Sequence, residues 1–75
     1  ACSPNYWYIS GSGVRIRTQP GGSIAGSASY GERVDKWWQS GQWIYVYFKN
    51  RPLYVSPRSG YVHQDYVRFH QPTCW

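Results

Sequence analysis

Trp43-Ile44-Tyr45-Val46-Tyr47-Phe48 is the stretch that decides the fold. Every second residue is aliphatic or Phe, and the residues between them are Trp and Tyr, the period of a β-strand with two different faces. Ile44, Val46 and Phe48 are assigned to the core, leaving Trp43, Tyr45 and Tyr47 in a row on the opposite, exposed face. Just upstream, Ser40-Gly41-Gln42 marks a short turn, and before it Tyr30-Gly31 leads into another strand running to about Trp38.

The same reading extends outward in both directions. Tyr6 to Ile9 is a strand, Ser10 to Gly13 a turn, and Val14 to Thr18 a strand with Val14 and Ile16 inward and Arg15 and Arg17 outward. Gln19 to Ser29 is expected to be a long loop punctuated by Pro20-Gly21-Gly22, with Ile24 anchoring it in the core. Pro52 and Pro57 frame Leu53-Tyr54-Val55 between Lys49 and Gly60, which suits a broken edge strand or an extended hairpin. Tyr61 to His63 is the next strand, Asp65-Tyr66 a single 3₁₀ turn, and Val67 to Phe69 a closing stretch. Helix signals are nearly absent. The expectation is an all-β single domain, 1–75, in which five or more short antiparallel strands form a small, strongly bent barrel.

The chain has 75 residues, near the size at which burial alone leaves a fold marginal and a covalent staple is commonly required. Cys2 and Cys74 are the only cysteines and lie almost at the two ends, so a bridge between them would close nearly the whole chain. Such a bridge implies an oxidising, secreted, extracellular setting. Two buried free thiols are the competing reading, disfavoured because terminal residues seldom reach a core. No apolar run is long enough to cross a membrane, and no leader is visible. The reading is therefore a mature secreted protein or a module of a larger one, with no membrane partner.

Five Trp and eight Tyr against two Phe and no Met are more large rings than so small a core can hide. Trp and Tyr combine a flat apolar face with a hydrogen-bonding edge and few rotors, a combination suited to recognition and in particular to sugars. The candidate glycan-binding residues are Tyr30, Trp37, Trp38, Trp43, Tyr45, Tyr47 and Tyr61. Asp35 and Gln39 stand close in sequence as partners for sugar hydroxyl and acetamido groups. For Trp38 and Tyr61, a purely structural place in the core or at the barrel seam weighs as much as a binding role. The net charge of +5 favours anionic surfaces, but the basic residues are dispersed.

Catalysis is the weakest class. Glu32 and Asp35 are three residues apart in an expected strand, hence on opposite faces, and read as a solvated pair; glycoside hydrolysis needs two carboxyls facing each other across a cleft. His63 and His70 lack a nucleophile motif. Two Cys and two His without ligand spacing give no metal site, and no cofactor motif is present. Nucleic acid ranks below sugars and peptides, because the charge is dispersed and the setting is extracellular.

From Val14 to Val67 the punctuation resembles the bacterial-type Src-homology-3 (SH3) domain. Val14-Arg15-Ile16-Arg17 and Gln19-Pro20-Gly21 fill the places of that family's first strand and its Gly-Pro-rich loop. Tyr30-Gly31-Glu32-Arg33-Val34 is similar to its next strand start and Gly41-Gln42-Trp43 to its Gly-Trp turn, while Gly60, Tyr61, Val62 and Tyr66 match its closing motif. The resemblance implies an SH3-like barrel, monomeric and non-catalytic, that holds a secreted hydrolase on wall polysaccharide, either chitin or peptidoglycan. It also implies an alternative: a peptide groove between Trp43 and Tyr66, taking a peptidoglycan cross-bridge or another extended peptide. A Pro-rich ligand is disfavoured, since Gln19 to Gly31 contains no acid to receive its Arg. Lys36-Trp37-Trp38 stands where the family carries a Val-Leu-Gly-like stretch, and Lys36 breaks the alternation of its strand. A β-bulge is expected there, turning one of the two tryptophans outward.

Overall fold

Alternation carries through β5, Trp43–Tyr47, where Ile44 and Val46 are buried and Phe48, just past the strand end, is buried with them. The strand pairs on one side with β4, Arg33–Ser40, through a two-residue Gly41-Gln42 turn. Gly41 has φ +60, the glycine-first pattern of a tight hairpin whose twist matches its strands. On the other side β5 pairs with β6, Ser59–His63, in the register Trp43↔His63, Tyr45↔Tyr61 and Tyr47↔Ser59. The computed structural model describes all 75 residues.

The remaining strands are β1 (Tyr6–Ile9), β2 (Val14–Arg17), β3 (Ile24–Ala28) and β7 (Val67–His70), and a 3₁₀ turn at Gln64–Tyr66 precedes β7. All seven strands pair antiparallel in one sheet of order β3-β2-β6-β5-β4-β1-β7. Each contributes at least one residue to a single core cluster: Ile9, Val14, Ile16, Ala28, Val34, Ile44, Val46, Val62 and Val67, completed by Phe48. A sheet whose strands all point into one cluster must curl around it, although β3 and β7, its two edges, do not pair with each other.

Glycine makes the tight curl possible where strands cross closely. A Cβ on Gly60 would stand 2.5 Å from Ile16 Cγ2 and 3.0 Å from the Arg17 carbonyl oxygen. Only a residue without one lets β6 lie against β2 there.

Three sequence expectations need correction. Gln19 to Ser29 is not a loop throughout, since Ile24–Ala28 forms β3; its run of small residues hides the strand, and Gly26 gives room to Pro57, whose Cδ a Cβ would meet at 2.5 Å. Ile24 is not the anchor. It is 50% exposed, because a register shift between Ile16 and Arg17 sets it opposite outward-facing Arg17, and Ala28 takes the buried place. Of the two readings of residues 49–58 the broken edge strand fails: they are turns and bends forming the long connection of the β5–β6 hairpin, with Leu53 and Tyr54 each 89% exposed.

Arg51 holds that irregular segment. Its guanidinium lies over the Phe48 ring, donates from Nε and Nη2 to both carboxylate oxygens of Glu32 at 2.8 and 3.0 Å, and reaches the carbonyls of Pro57 and Ser27. Arg58 donates back to the Arg51 carbonyl at 2.8 Å.

The two ends of the chain meet. Cys2 and Cys74 form a disulfide across 72 residues, and Ser3 N–H donates to the Thr73 carbonyl and Trp75 N–H to the Ala1 carbonyl, both at 2.8 Å. A disulfide of this kind is compatible with an extracellular or secreted protein.

Candidate functional site

The bulge expected near Lys36 is present, and it organises the aromatic surface. Lys36 pairs with Val46 and Trp38 with Tyr45, so Trp37 is the extra residue in β4. The bulge re-aims one indole, as expected: Trp37 already alternates to the outer face with Asp35, and the extra residue brings Trp38 there as well. Trp38 lies flat on Tyr45, with centroids 4.2 Å apart and planes 1° from parallel, and Trp37 on Tyr47 at 5.3 Å and 9°.

Two rings that stack across neighbouring strands each keep one free face. Past Val34, β4 has no strand neighbour other than β5, so the indole faces turned away from the tyrosines border open solvent. Trp37 is 53% and Trp38 49% exposed, with centroids 6.1 Å apart. They form a two-indole platform. Trp38 is accordingly not a core residue.

Tyr45 and Tyr47, beneath the indoles, and Trp43, against His63 and Arg17, are half-buried rather than exposed as expected, because neighbouring side chains cover them. The polar edges of the two tyrosines and of Trp38 are tied down. Tyr45 Oη shares a hydrogen with Ser59 Oγ at 2.8 Å, Arg58 donates to Tyr47 Oη at 2.9 Å, and Trp38 Nε1 donates to Tyr61 Oη at 3.2 Å. Tyr61 stands edge-on to Tyr45 at 5.0 Å, on the outer face rather than at a barrel seam. Fixed rings lose little freedom when a ligand settles on them.

Trp43 belongs to a second feature. With Tyr66, His63, Arg15, Arg17 and the Gly11–Gly13 turn it lines an open cleft of roughly 320 Å³. The cleft thus brings together Trp43 and Tyr66, the two residues assigned to the alternative groove. Arg17, Tyr61 and Tyr45 are cross-strand neighbours, as are His63 and Trp43, so cleft and platform share one sheet face. Arg15, Arg17 and His63 were not singled out from the sequence for binding. The outward assignment of Arg15 and Arg17 was legible, but which strand would lie beside β2 was not.

Other candidates lie elsewhere. Tyr30 is edge-on to Tyr8 and lines a separate small depression with Tyr6, Gly31 and His70, away from the indole platform. Asp35 sits opposite Tyr47 in register at the platform's end and pairs with Lys49 at 3.5 Å. Gln39 donates to the Gly41 carbonyl and to Gln64 and so braces the turn. Glu32 and Asp35 are not a solvated pair: Glu32 precedes β4 and is held by Arg51, and each carboxylate has its own cation. No group of three or more His, Cys, Asp or Glu side chains is placed to hold a metal ion. No protein-family model, curated protein or solved structure matches the chain.

Proposed function

We propose that this is a non-catalytic, SH3-like module that binds N-acetylglucosamine-containing wall polymer, chitin or peptidoglycan glycan, and targets a secreted cell-wall hydrolase to it. The observation that carries the reading is the Trp37/Trp38 platform: two indoles half exposed, each backed by a tyrosine stacked against it. A pyranose ring places several C–H groups on one side, which lie against an aromatic plane, and its hydroxyls remain at the rim for Asp35 and solvent. The engagement of Glu32 and Asp35 with separate cations favours binding over hydrolysis. The disulfide is compatible with the extracellular setting of such polymers.

An open platform buries little of a short ligand, so oligosaccharides bind weakly, on the order of 0.1–10 mM, while insoluble polymer retains the module through repeated sites. The test is retention on chitin and on peptidoglycan, with chemical-shift mapping by oligomers of each. Shifts centred on the Trp37 and Trp38 indole N–H groups support the reading. Absence of retention on both polymers overturns it. A second reading, an extended peptide across Trp43 and Tyr66, is favoured by the cleft between them; shifts confined to that cleft on adding wall peptides would put it first.

A further inference from the structure

The chain has only three carboxylate side chains, and each already faces a partner: Glu32 with Arg51, Asp35 with Lys49, and Asp65 beside His63. Neither Arg15 nor Arg17 is in an ion pair. Both line the open cleft of the aromatic face, with His63, Trp43 and Tyr66. Two uncompensated guanidinium groups in a concave site focus a positive field that dispersed surface charges do not.

The donors in that site are oriented. Arg17 Nη1 donates to the Gly22 carbonyl at 2.7 Å and its guanidinium lies 5.5 Å from the centre of the Trp43 ring, which fixes the group while leaving most of its five N–H donors unused. His63 Nδ1 accepts the Asp65 amide N–H at 3.2 Å, so in the neutral ring Nε2 carries the hydrogen and donates. Asp65 approaches from the Nδ1 side, 3.5 Å away, opposite the donating edge. Two guanidinium groups, an imidazole and the phenol-bearing Tyr66 therefore line one cleft, and no carboxylate residue is among its lining. Such a set fits a carboxylate or a phosphate, and a neutral sugar satisfies it poorly.

We propose that this cleft is an anion subsite, receiving a carboxylate or phosphate group borne by the same polymer whose sugar rings lie on Trp37 and Trp38. The inference rests on the platform reading above and sharpens it: the preferred ligand is an acidic wall polymer rather than neutral chitin. The two areas are neighbours through Tyr61, which pairs in register with the cleft's Arg17, stands against Tyr45 and accepts from Trp38.

The native protein is titrated separately with acetate, with inorganic phosphate and with a neutral chitin oligomer, following Arg side-chain, His63 and Trp indole resonances. Acetate and phosphate are expected to shift Arg15, Arg17, His63 and Trp43, and the chitin oligomer Trp37 and Trp38. Arg15→Glu and Arg17→Ala should both abolish the anion shifts and leave chitin binding unchanged; Arg15→Glu, at an exposed position, should also leave the melting temperature unchanged, and so separates loss of the anion from the packing that Arg17→Ala gives up at Gly22 and Trp43. An acidic glycan fragment, carrying stem-peptide carboxylates in one arm and phosphodiesters in the other, should bind about tenfold tighter than a neutral fragment of equal length. The arm showing the gain identifies the anion. Anion shifts spread equally over Arg33 and Arg68, anion binding that survives Arg15→Glu, or equal affinity for acidic and neutral fragments would overturn the subsite. Loss of chitin binding alone, with anion shifts intact, would instead overturn the platform reading.

Discussion

At the scale of single residues, the two faces of the β4–β5 hairpin separate binding from stability. Trp37→Ala or Trp38→Ala removes an exposed indole and one stacking contact, which costs about 1 kcal/mol of stability, while retention on polymer should fall about tenfold or more. Ile44→Ala, on the inward face, should cost about 2–5 kcal/mol by emptying core volume, without changing the affinity of the molecules still folded. Urea denaturation and polymer pull-down on the same three variants test both halves. Were the Trp variants to bind normally, the indoles would be ornament on the sheet rather than its contact surface. Tyr45 and Tyr47 are poorer probes, because their hydroxyls are tied to Ser59 and Arg58, so removing them loosens the fold as well as the surface.

The elements show what kind of sequence signal carries structure. Strands of clean alternation were legible to the residue: Tyr6–Ile9 and the inward Val14 and Ile16 of β2 agree with the structure, as does the bulge that Lys36 betrays by breaking the period. β3 was not legible. Ile24-Ala25-Gly26-Ser27-Ala28 has the composition of a loop, and its extended form comes from pairing with β2 and from Pro57 resting where Gly26 has no side chain. The segment 49–58 left a broken edge strand and an extended hairpin both open; it is the long connection of the β5–β6 hairpin, and Leu53-Tyr54-Val55 stays out of the sheet, its place set by Arg51 and Arg58. Arg51→Ala should therefore destabilise the protein by on the order of 3 kcal/mol, leaving Glu32 without its cation, and Arg51→Lys should recover little because an ammonium cannot reproduce the fork. Leu53→Ser and Tyr54→Ser, in the same segment, should each fall within about 0.5 kcal/mol of the parent. Chemical denaturation of the four variants checks the ranking; a larger loss for Leu53 than for Arg51 would mean that apolar contacts, not the guanidinium, hold the segment.

For the whole molecule, a core of ten residues is small support for 75. The Cys2–Cys74 bridge, closing nearly the entire chain, should add roughly 4 kcal/mol by restricting the unfolded state. Reduction, or paired Cys2→Ser and Cys74→Ser substitution, should lower the melting temperature markedly while the sheet persists at low temperature; an unchanged melting temperature would mean the unfolded chain is already confined. The candidate site depended on this scale too. Each ring of the platform was visible in the sequence, but one expected set resolved into platform, cleft and the separate Tyr30 depression only once β2, β6, β5 and β4 had been laid side by side.

The pairing of Ala1 with Trp75 beside that bridge makes the backbone almost a closed loop. A nearly circular chain has no privileged starting point, so its order can be rotated: a short linker joining 75 to 1, with new ends opened between Leu53 and Tyr54, should yield a permuted protein with the same sheet and the same binding face. Its circular dichroism and polymer retention should match the parent's. For the same reason the domain is suited to being spliced into a surface loop of a host protein, entering and leaving at one point like a bead set on a thread.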